Sequence, residues 1–419
     1  MLTFPADVRL LFGTRILRLF AYGFLSVVMA IYLAQLGMKE AQIGLLLTLT
    51  LLGDTAISLW ITTNADRIGR KRMLLAGAAL MIFAGVLFGL TRNFYLLLLA
   101  ATIGVISPSG YEVGPFLSIE QASISYLVPD EHRTRVFAWY NLAGSFATAS
   151  GALVSGLLAQ QLQNSGLSPL SSSRIVVLGY GLIGFFLLSL FTRLSPAVEV
   201  VLHEQRKTEP GRARVNPTQR SFLGLHRSQK VVFRLAALFS LDAFAGGFVV
   251  QSLVAYWFHV RFGVAPAVLG AIFFGANILA GISALSAAWV AKRIGLINTM
   301  VFTHLPSNVL LMLVPLMPGL SLAVAVLLLR FSISQMDVPT RQSYTMAVVD
   351  PDERSAAAGI TGVARTIGAS LAPVFSGFFL ANPLLLGLPF FISGGLKIVY
   401  DLALYRSFRG LKPPEEREH

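Results

Sequence analysis

Long apolar stretches separated by short polar links dominate this chain. A helix that crosses a bilayer needs about 20 mostly apolar residues, and twelve stretches of the chain reach that length. We predict spans at 14–35, 42–63, 73–92, 95–118, 135–158, 174–194, 231–258, 266–290, 297–316, 321–345, 355–380 and 386–406. The pattern therefore predicts an all-α membrane protein with twelve transmembrane helices.

The longest polar link divides the predicted spans into two sets of six. It contains "HEQRKTEPGRARVNPTQR", in which charges alternate with Pro and Gly, so we expect irregular structure there. The predicted organisation is an N-terminal six-helix bundle at 1–194, a cytoplasmic linker at 195–230, and a C-terminal six-helix bundle at 231–419 that ends in a short cytoplasmic tail.

The two halves repeat each other in the same order. The stretch "ADRIG" at 65–69 matches "AKRIG" at 291–295, and "SPSGYEVGP" at 107–115 matches "SISQMDVP" at 332–339. Parallel repeats of this kind build two pseudo-symmetric bundles that face each other, with substrate sites near the middle of the bilayer. We therefore expect a cavity between the bundles.

The distribution of Lys and Arg predicts the orientation. The chain has 33 Lys and Arg against 20 Asp and Glu, and the basic residues concentrate in "DRIGRKR" (66–72), "DEHRTR" (130–135), the linker and the tail. Basic loops remain on the cytoplasmic side, so both termini are predicted to be cytoplasmic. The same placement favours anionic lipid head groups over nucleic acid as the partner of the positive charge.

Composition narrows the chemistry further. Hydrophobic residues make up 55% of the chain, charged residues only 13%, and there is no Cys, which excludes disulfides, thiol nucleophiles and Cys-based metal sites. The six His show no ligand spacing, and His304 is expected near a span end. No phosphate-binding GxxxxGK[ST] loop is present. We therefore predict no enzymatic activity, no cofactor and no metal.

Ionisable residues inside predicted spans are candidates for function, because charge in the bilayer interior is costly. A boundary residue, Arg15, is expected to reach the cytoplasmic surface instead. The candidates for substrate or proton binding are Asp54, Glu112, Asp242, Arg330, Asp337 and Arg365.

The tenth predicted span carries the densest polar pattern. Arg330, Ser334, Asp337 and Arg341 follow one another at spacings of four, three and four residues, so a continuous helix would align them in one stripe. The stripe either faces the cavity or forms a salt bridge that only holds the bundle together. In the repeat alignment Asp337 matches Glu112, each just before a proline that is expected to kink its helix.

Asp242 and Asp54 are candidates for coupling chemistry. Asp242 could pair with Arg365 or Arg330, and a buried pair of this kind could exchange its partner for a proton and an anion. Asp54 lies alone in "LLGDTAIS", and a carboxyl group removed from water readily takes up a proton. The alternative for Asp54 is a packing residue that is hydrogen-bonded to a serine or to the backbone.

The loop "NADRIGRKRM" after the second span resembles a motif of the major facilitator superfamily. Asp66, Arg67, Gly69, Arg70 and Lys71 fit the motif, while Thr62 stands where the family has Gly. The twelve spans and two six-helix halves resemble the family along nearly the whole chain. The buried Arg of span four and the Gly-Pro pair of span five, which are typical of drug:proton antiporters, are missing.

The resemblance implies a conformational latch at this loop. Asp66 is expected to dock against the N-terminus of span eleven, whose helix dipole attracts negative charge. Arg67 and Arg70 are expected to reach cytoplasmic carboxylates such as Glu120. The alternative is a solvated basic loop that only sets topology.

The favoured interpretation is a secondary active transporter of a small anionic or zwitterionic solute, working by alternating access. Proton coupling and efflux are expected, with a monomer in the cell inner membrane that contacts lipid. The alternatives are a non-transporting membrane sensor and an intramembrane enzyme. A sensor would carry a longer cytoplasmic segment, and an enzyme would need paired catalytic groups at one depth.

Overall fold

The computed structural model describes residues 5–112, 114–199, 225–350 and 352–411, and these ranges contain seventeen α-helices. The N-terminal helices are α1 (Ala6–Ser26), α2 (Met29–Gln35), α3 (Glu40–Ile68), α4 (Arg70–Leu90), α5 (Phe94–Ile103), α6 (Phe116–Leu127), α7 (Asp130–Asn164) and α8 (Pro169–Thr192). The C-terminal helices are α9 (Gln229–Gly247), α10 (Gln251–Phe262), α11 (Pro266–Ile294), α12 (Leu296–Leu313), α13 (Leu320–Ile333), α14 (Asp337–Ala347), α15 (Arg354–Leu371), α16 (Pro373–Leu380) and α17 (Leu388–Phe408).

The predicted class, an all-α membrane protein, is confirmed. Ten helical stretches within the described residues are long and apolar enough to cross a membrane, and the pair α1–α2, bent by 43°, makes an eleventh. The remaining predicted span is present as two short pieces, α5 and α6. The fold therefore has ten to twelve membrane helices.

The fourth predicted span is not one continuous helix, so the prediction of 95–118 was wrong there. Helix α5 ends at Ile103, and α6 begins only at Phe116. The intervening segment contains Gly110 with φ of 74° and Gly114 with φ of 82°, a left-handed conformation that glycine adopts readily and that ends a helix. The break places Glu112 in irregular backbone.

The tenth predicted span is also broken, between Ile333 and Asp337. The predicted kink lies just ahead of Pro339, which occupies the first turn of α14, where a missing N–H is tolerated. The backbone N–H of Gln335, inside the break, donates to the Ser283 hydroxyl at 3.2 Å. The side chains of the expected stripe therefore do not lie on a single straight helix.

The N-terminal and C-terminal helices touch closely at the end of the bundle that carries the α2–α3 and α10–α11 turns. We call this the sealed end. A Cβ atom added at Gly44 would lie 2.5 Å from the Pro373 carbonyl oxygen, and one at Gly156 would lie 2.3 Å from the Pro266 carbonyl oxygen. Only glycine lets the backbones approach so closely, as is common between membrane helices.

Hydrogen bonds reinforce the sealed end. The Gln251 amide donates to the Ser26 hydroxyl at 2.7 Å, and the Tyr256 hydroxyl donates to Glu40 at 2.9 Å. The other end carries the turns at Gly69 and Gly295 beside basic residues, and we call it the basic end. The predicted linker lies mostly at 200–224, outside the described residues, so the bundle boundaries stay predictions.

Candidate functional site

A cavity of about 390 Å³ lies between the N-terminal and C-terminal helices. Five of the six ionisable residues that the sequence singled out line it. These are Asp54, Glu112, Asp242, Arg330 and Arg365. The breaks after α5 and after α13 both border the cavity, because Tyr111 and Gln335 contribute to its lining.

Asp242 on α9 is the centre of the C-terminal wall of the cavity. It contacts the Lys397 ammonium at 2.5 Å, Arg341 Nη1 at 3.1 Å and Arg365 Nη1 at 3.5 Å. The three cations come from α17, α14 and α15 respectively. One buried carboxylate therefore ties four helices together, and the structure places Arg365 beside Asp242 as the sequence had suggested.

Arg330 lies one turn before the end of α13 and is only 9% exposed. Its guanidinium lies over the Phe331 ring, 4.9 Å from the ring centroid. The Nε atom has no hydrogen-bond partner among the described residues. A buried cation with an unused donor is a suitable partner for an anion that enters the cavity.

Asp337 does not line the cavity. It begins α14, and its carboxylate accepts from Arg341 Nη1 at 3.0 Å, so it lies behind Asp242 in the same network. Arg341, which the sequence placed in the stripe but not among the candidates, bridges the two carboxylates. The break before α14 therefore divides the stripe, with Arg330 on the cavity and Asp337 behind the wall.

The N-terminal wall has a different arrangement. Glu112 accepts from Arg15 Nη1 at 2.7 Å and from Arg18 Nε at 2.9 Å. The expectation that Arg15 reaches the surface was wrong, because its side chain is buried against Glu112 and donates to the Tyr140 carbonyl at 2.9 Å. Asp54 is also buried, and its Oδ1 has no hydrogen-bond partner among the described residues.

Glu120 is not a partner of the basic loop in this conformation, which corrects the expected latch. Its carboxylate is fully buried and accepts from Arg18 Nη1 at 2.7 Å and Arg18 Nη2 at 2.8 Å. Thr14 and Tyr140 also donate to it. Glu120 lies one helical turn beyond the start of α6, where a fork-shaped guanidinium satisfies it inside the bundle.

The loop residues of the expected latch bond within the N-terminal part of the chain. Arg70 Nε donates to Asp66 at 2.8 Å, and the Lys71 ammonium donates to the Leu194 carbonyl at 2.6 Å. Gly69 makes the turn between α3 and α4 with φ of 116°, and Arg67 is exposed. Docking of Asp66 on α15 stays a prediction for a conformation with a closed basic end.

The two walls differ in net charge. On the C-terminal side, the four cations Arg330, Arg341, Arg365 and Lys397 outnumber the three buried carboxylates Asp242, Asp337 and Asp401, which leaves one positive charge in excess. On the N-terminal side, Arg15 and Arg18 are matched by Glu112 and Glu120, and Asp54 adds one negative charge. The cavity therefore has a positive wall opposite a wall that carries one unmatched carboxyl group.

Sequence reasoning missed several members of the network. Lys397 and Asp401 lie in "GGLKIVYDLA" of the last span, and the rule that flags intramembrane charge would have found both. His304 was expected at a span end, but it is buried in the ninth position of α12 beside Asp401. The predicted start of that span agrees with α12. A residue nine positions into a membrane helix lies well inside it, so the expected place of His304 at a span end was wrong.

Comparison with known proteins supplies the family. Residues 11–373 match the sequence profile of the Major Facilitator Superfamily. The chain belongs to this superfamily. It is 32% identical over 424 residues to an uncharacterized membrane protein, YJR124C, of Saccharomyces cerevisiae, covering 97% of this chain and 94% of the yeast protein. This superfamily member is therefore a multi-pass membrane transporter of a small molecule, not an enzyme.

Two further similarities are more limited. A Na⁺, Li⁺, K⁺/H⁺ antiporter of Planococcus maritimus is 29% identical over 130 residues, which cover 31% of this chain and 30% of the antiporter. The crystal structure of the nucleoside transporter NupG superposes with a TM-score of 0.72 at 14% identity, covering 97% of this chain and all of NupG. At that identity the likeness concerns the fold alone.

Proposed function

We propose that this superfamily member carries a small anionic solute through the central cavity, with Arg330 as the main binding group. The observation that carries the proposal is the excess of positive charge on the C-terminal wall, with an unused donor on Arg330. A buried charge that lacks a partner is costly. An anionic cargo would relieve that cost, whereas a cationic cargo would add to it.

A zwitterionic cargo is compatible with the same walls. Its anionic end would face Arg330, and its cationic end would face the unmatched Asp54 on the opposite wall. Asp54 is also our proposed proton site in the cavity, because a buried carboxyl group without an ionic partner is stabilised by a proton. For an anionic cargo, replacing Asp54 by Asn should then leave binding intact and weaken the response of transport to an imposed pH gradient.

Alternating access would use the two ends of the bundle. The close backbone contacts at the sealed end support a state that is shut there, while an added Cβ at Gly359 or Gly362 on α15 would meet nothing within 4 Å. We propose that the basic end faces the cytoplasm and that this state is open to it. The two six-helix bundles, 1–194 and 231–419, would move relative to each other so that the cavity opens at one end as it closes at the other.

We further propose that transport is proton-coupled efflux by a monomer in the cell inner membrane. The partial similarity to a cation/H⁺ antiporter supports coupling to protons. The direction of net transport would be measured in vesicles by reversing the pH gradient. Efflux requires that solute loaded on the cytoplasmic side leaves faster than solute loaded on the other side.

The test of cargo class is a ligand-stabilisation screen of the purified protein against organic anions, zwitterions, cations and neutral solutes. We expect the thermal midpoint to rise with one or more anions, and Arg330→Gln to abolish that rise while the unliganded midpoint stays close to wild type. The matched control is Arg261→Gln, because Arg261 is an exposed residue at the last turn of α10, far from the cavity.

Stabilisation by cations alone would overturn the proposed cargo class. A hit is then followed in proteoliposomes, where uptake of the labelled anion separates a transporter from a sensor that only binds it. If Arg330→Gln fails to fold, Arg330→Lys keeps the charge and shows whether the planar donor group is needed.

A further inference from the structure

A buried histidine–carboxylate pair lies behind the C-terminal wall, between α12 and α17. His304 Nδ1 is 2.8 Å from Asp401 Oδ1, and the Asn308 amide donates to Asp401 Oδ2 at 2.9 Å. His304 is 3% exposed, and Asp401 and Asn308 are fully buried. The proposed transport mechanism assigns no role to this pair.

The pair is connected to the cavity along α17. Lys397 lies four residues before Asp401, so the two side chains are one helical turn apart on the same face. Lys397 lines the cavity and donates to Asp242 at 2.5 Å. The pair is therefore separated from the cavity lining by a single turn of one helix.

The contact with Asp401 defines where a proton would bind. A carboxylate beside Nδ1 holds the imidazole with its hydrogen on that atom, which leaves Nε2 as the proton acceptor. The unprotonated pair carries one negative charge, and the protonated pair is neutral overall. Imidazole is the side chain that ordinarily changes its charge between about pH 5 and 8.

We propose that His304 and Asp401 form a proton-binding site whose occupancy sets the charge behind the cavity wall. The inference rests on the proposed anionic cargo for its functional consequence, but not for the proton site itself. Among the described residues, the charged and titratable groups that face the pair are Lys397 and Tyr400 on α17 and Asp242 on α9, and Arg341 on α14 lies beyond Tyr400.

The effect of a proton on His304 follows from the net charge of the C-terminal wall when Asp401 is included. Four cations, Arg330, Arg341, Arg365 and Lys397, then face three carboxylates, Asp242, Asp337 and Asp401, for an excess of one positive charge. A proton on His304 raises the excess to two. An anion in the cavity is attracted more strongly to that wall, and by linkage the bound anion strengthens proton binding equally.

The consequence is co-transport of the anion with a proton. Because each ligand favours the binding of the other, the doubly loaded protein is more populated than independent binding would give, and its crossing would carry the anion and the proton together. Efflux then occurs when the outward gradient of the anion exceeds the inward gradient of protons. In this proposal the group that couples proton transport to anion transport lies behind the cavity wall and not in the cavity.

The proton site is tested first without any cargo. Protein labelled with ¹⁵N in its six histidines is titrated by NMR, and His304→Gln identifies the His304 signal by its loss. The matched control is His259→Gln, because the His259 ring contacts the Val264 carbonyl at 3.0 Å near the sealed end. We expect the His304 signal to change reversibly from the neutral to the protonated form across the titrated pH range.

A His304 signal that keeps one neutral form throughout this range would overturn the proposal. If His304→Gln does not give folded protein, Asp401→Asn keeps the imidazole and removes its carboxylate. We then expect the titration of the signal to move relative to wild type. A titration that is identical in Asp401→Asn would equally overturn the pair as the site.

The linkage is tested second, with an anion taken from the stabilisation screen. We expect wild-type affinity to fall about fivefold or more from pH 5.5 to 8, within the usual range of coupling between sites, and His304→Gln to flatten this dependence. Unchanged pH dependence in His304→Gln would overturn the linkage while the cargo proposal stands. If no anion binds wild type, the cargo proposal fails, and the NMR titration alone decides the proton site.

Discussion

Asp242 is the carboxylate that holds the cations of the C-terminal wall together. It lies within ion-pair distance of three cations from three other helices. Breaking a buried ion pair by removing one partner leaves an uncompensated charge, which costs far more than an exposed salt bridge is worth. At this scale, the side chains that stabilise the wall are the same ones that we propose to act in transport.

We predict that Asp242→Asn destabilises the protein by about 3–5 kcal/mol, as expected when one partner of a buried pair is removed. The thermal midpoint in detergent measures the loss. Adding Lys397→Met should restore part of it, because one of the stranded cations is then gone, and the double-mutant cycle isolates that pair. A single Asp242→Asn variant with wild-type stability would contradict the role of Asp242.

Glu353 is a second residue with a defined electrostatic role, at the basic end. Its side chain accepts from the backbone N–H groups of Arg227 at 2.7 Å and Ser228 at 2.8 Å, and from that of His226. These groups precede α9 and would otherwise lack partners. Burial alone would raise the pKa of Glu353, but these hydrogen bonds outweigh it and lower the pKa to about 2.

We predict a pH-dependent cost for Glu353→Gln. A carboxyl group whose folded pKa lies below its ordinary value of 4.5 stabilises the fold fully above that value. The contribution is lost as the pH falls towards about 2. Glu353→Gln should therefore lower the thermal midpoint at pH 7, and the difference from wild type should shrink with acidification. Repeating the comparison in a His226→Ala background shows whether that neighbour contributes to the pH dependence. A difference between Glu353→Gln and wild type that does not vary with pH would refute the assigned role of Glu353.

At the scale of elements, two broken helices bring irregular backbone and polar side chains to the cavity. The breaks after α5 and after α13 put Tyr111, Glu112 and Gln335 at the cavity, where irregular backbone is tolerated because it lines a polar space. The charged clusters beside these breaks have opposite polarity. In the N-terminal helices cations of α1 meet carboxylates near α6, whereas in the C-terminal helices a carboxylate of α9 meets cations of α14, α15 and α17.

We predict that Gly44→Val prevents the sealed end from closing. Its Cβ would lie 2.5 Å from the Pro373 carbonyl and 2.9 Å from Gly377 Cα, so α3 and α16 must separate. Overpacking of this kind costs about 1–3 kcal/mol. A cysteine introduced at Ser252, which is fully buried at the sealed end, should then react faster with a membrane-impermeant thiol reagent, and the chain has no native Cys to interfere.

The matched control for that variant is Gly362→Val. A Cβ at Gly362 meets nothing within 4 Å, so the same change in side chain should leave the labelling rate unaltered. Equal labelling of Gly44→Val and Gly362→Val proteins would show that the close approach of α3 and α16 does not control access.

At the scale of the whole molecule, the contacts at the sealed end join two groups of helices that surround one cavity. Gln251 meets Ser26, and Tyr256 meets Glu40, each across the boundary between the groups. Transport by alternating access requires these contacts to separate once in every cycle. The sealed end is therefore the place where a covalent link should stop the cycle.

We predict that a reducible crosslink between cysteines at positions 40 and 256 stops transport without abolishing ligand binding. The Tyr256 hydroxyl lies 2.9 Å from the Glu40 carboxylate, so a short bifunctional thiol reagent can span the replaced side chains. Flux in proteoliposomes should fall on crosslinking and return on reduction. The single-cysteine variants, treated with the same reagent, control for modification alone, and continued flux in the crosslinked protein would exclude opening at this end.

The amino-acid sequence by itself determined the class of protein. Apolar runs of bilayer length and backbone groups that must be satisfied within each segment leave few folds other than a helical bundle. The cost of intramembrane charge also identified Asp54, Glu112, Asp242, Arg330 and Arg365, all of which line the cavity. These inferences succeeded because each depends on the solvent around one segment and not on which segments meet.

Only the tertiary structure decided which charges are partners. Glu120 is satisfied by Arg18 and not by the basic loop, and Lys397 reaches Asp242 from a helix 155 residues away along the chain. Pairing of this kind depends on the packing of distant helices and on breaks that re-aim side chains, as at Glu112. Hydropathy and spacing record how deep a residue lies and on which face of its helix, but not which charge a neighbouring helix places opposite it.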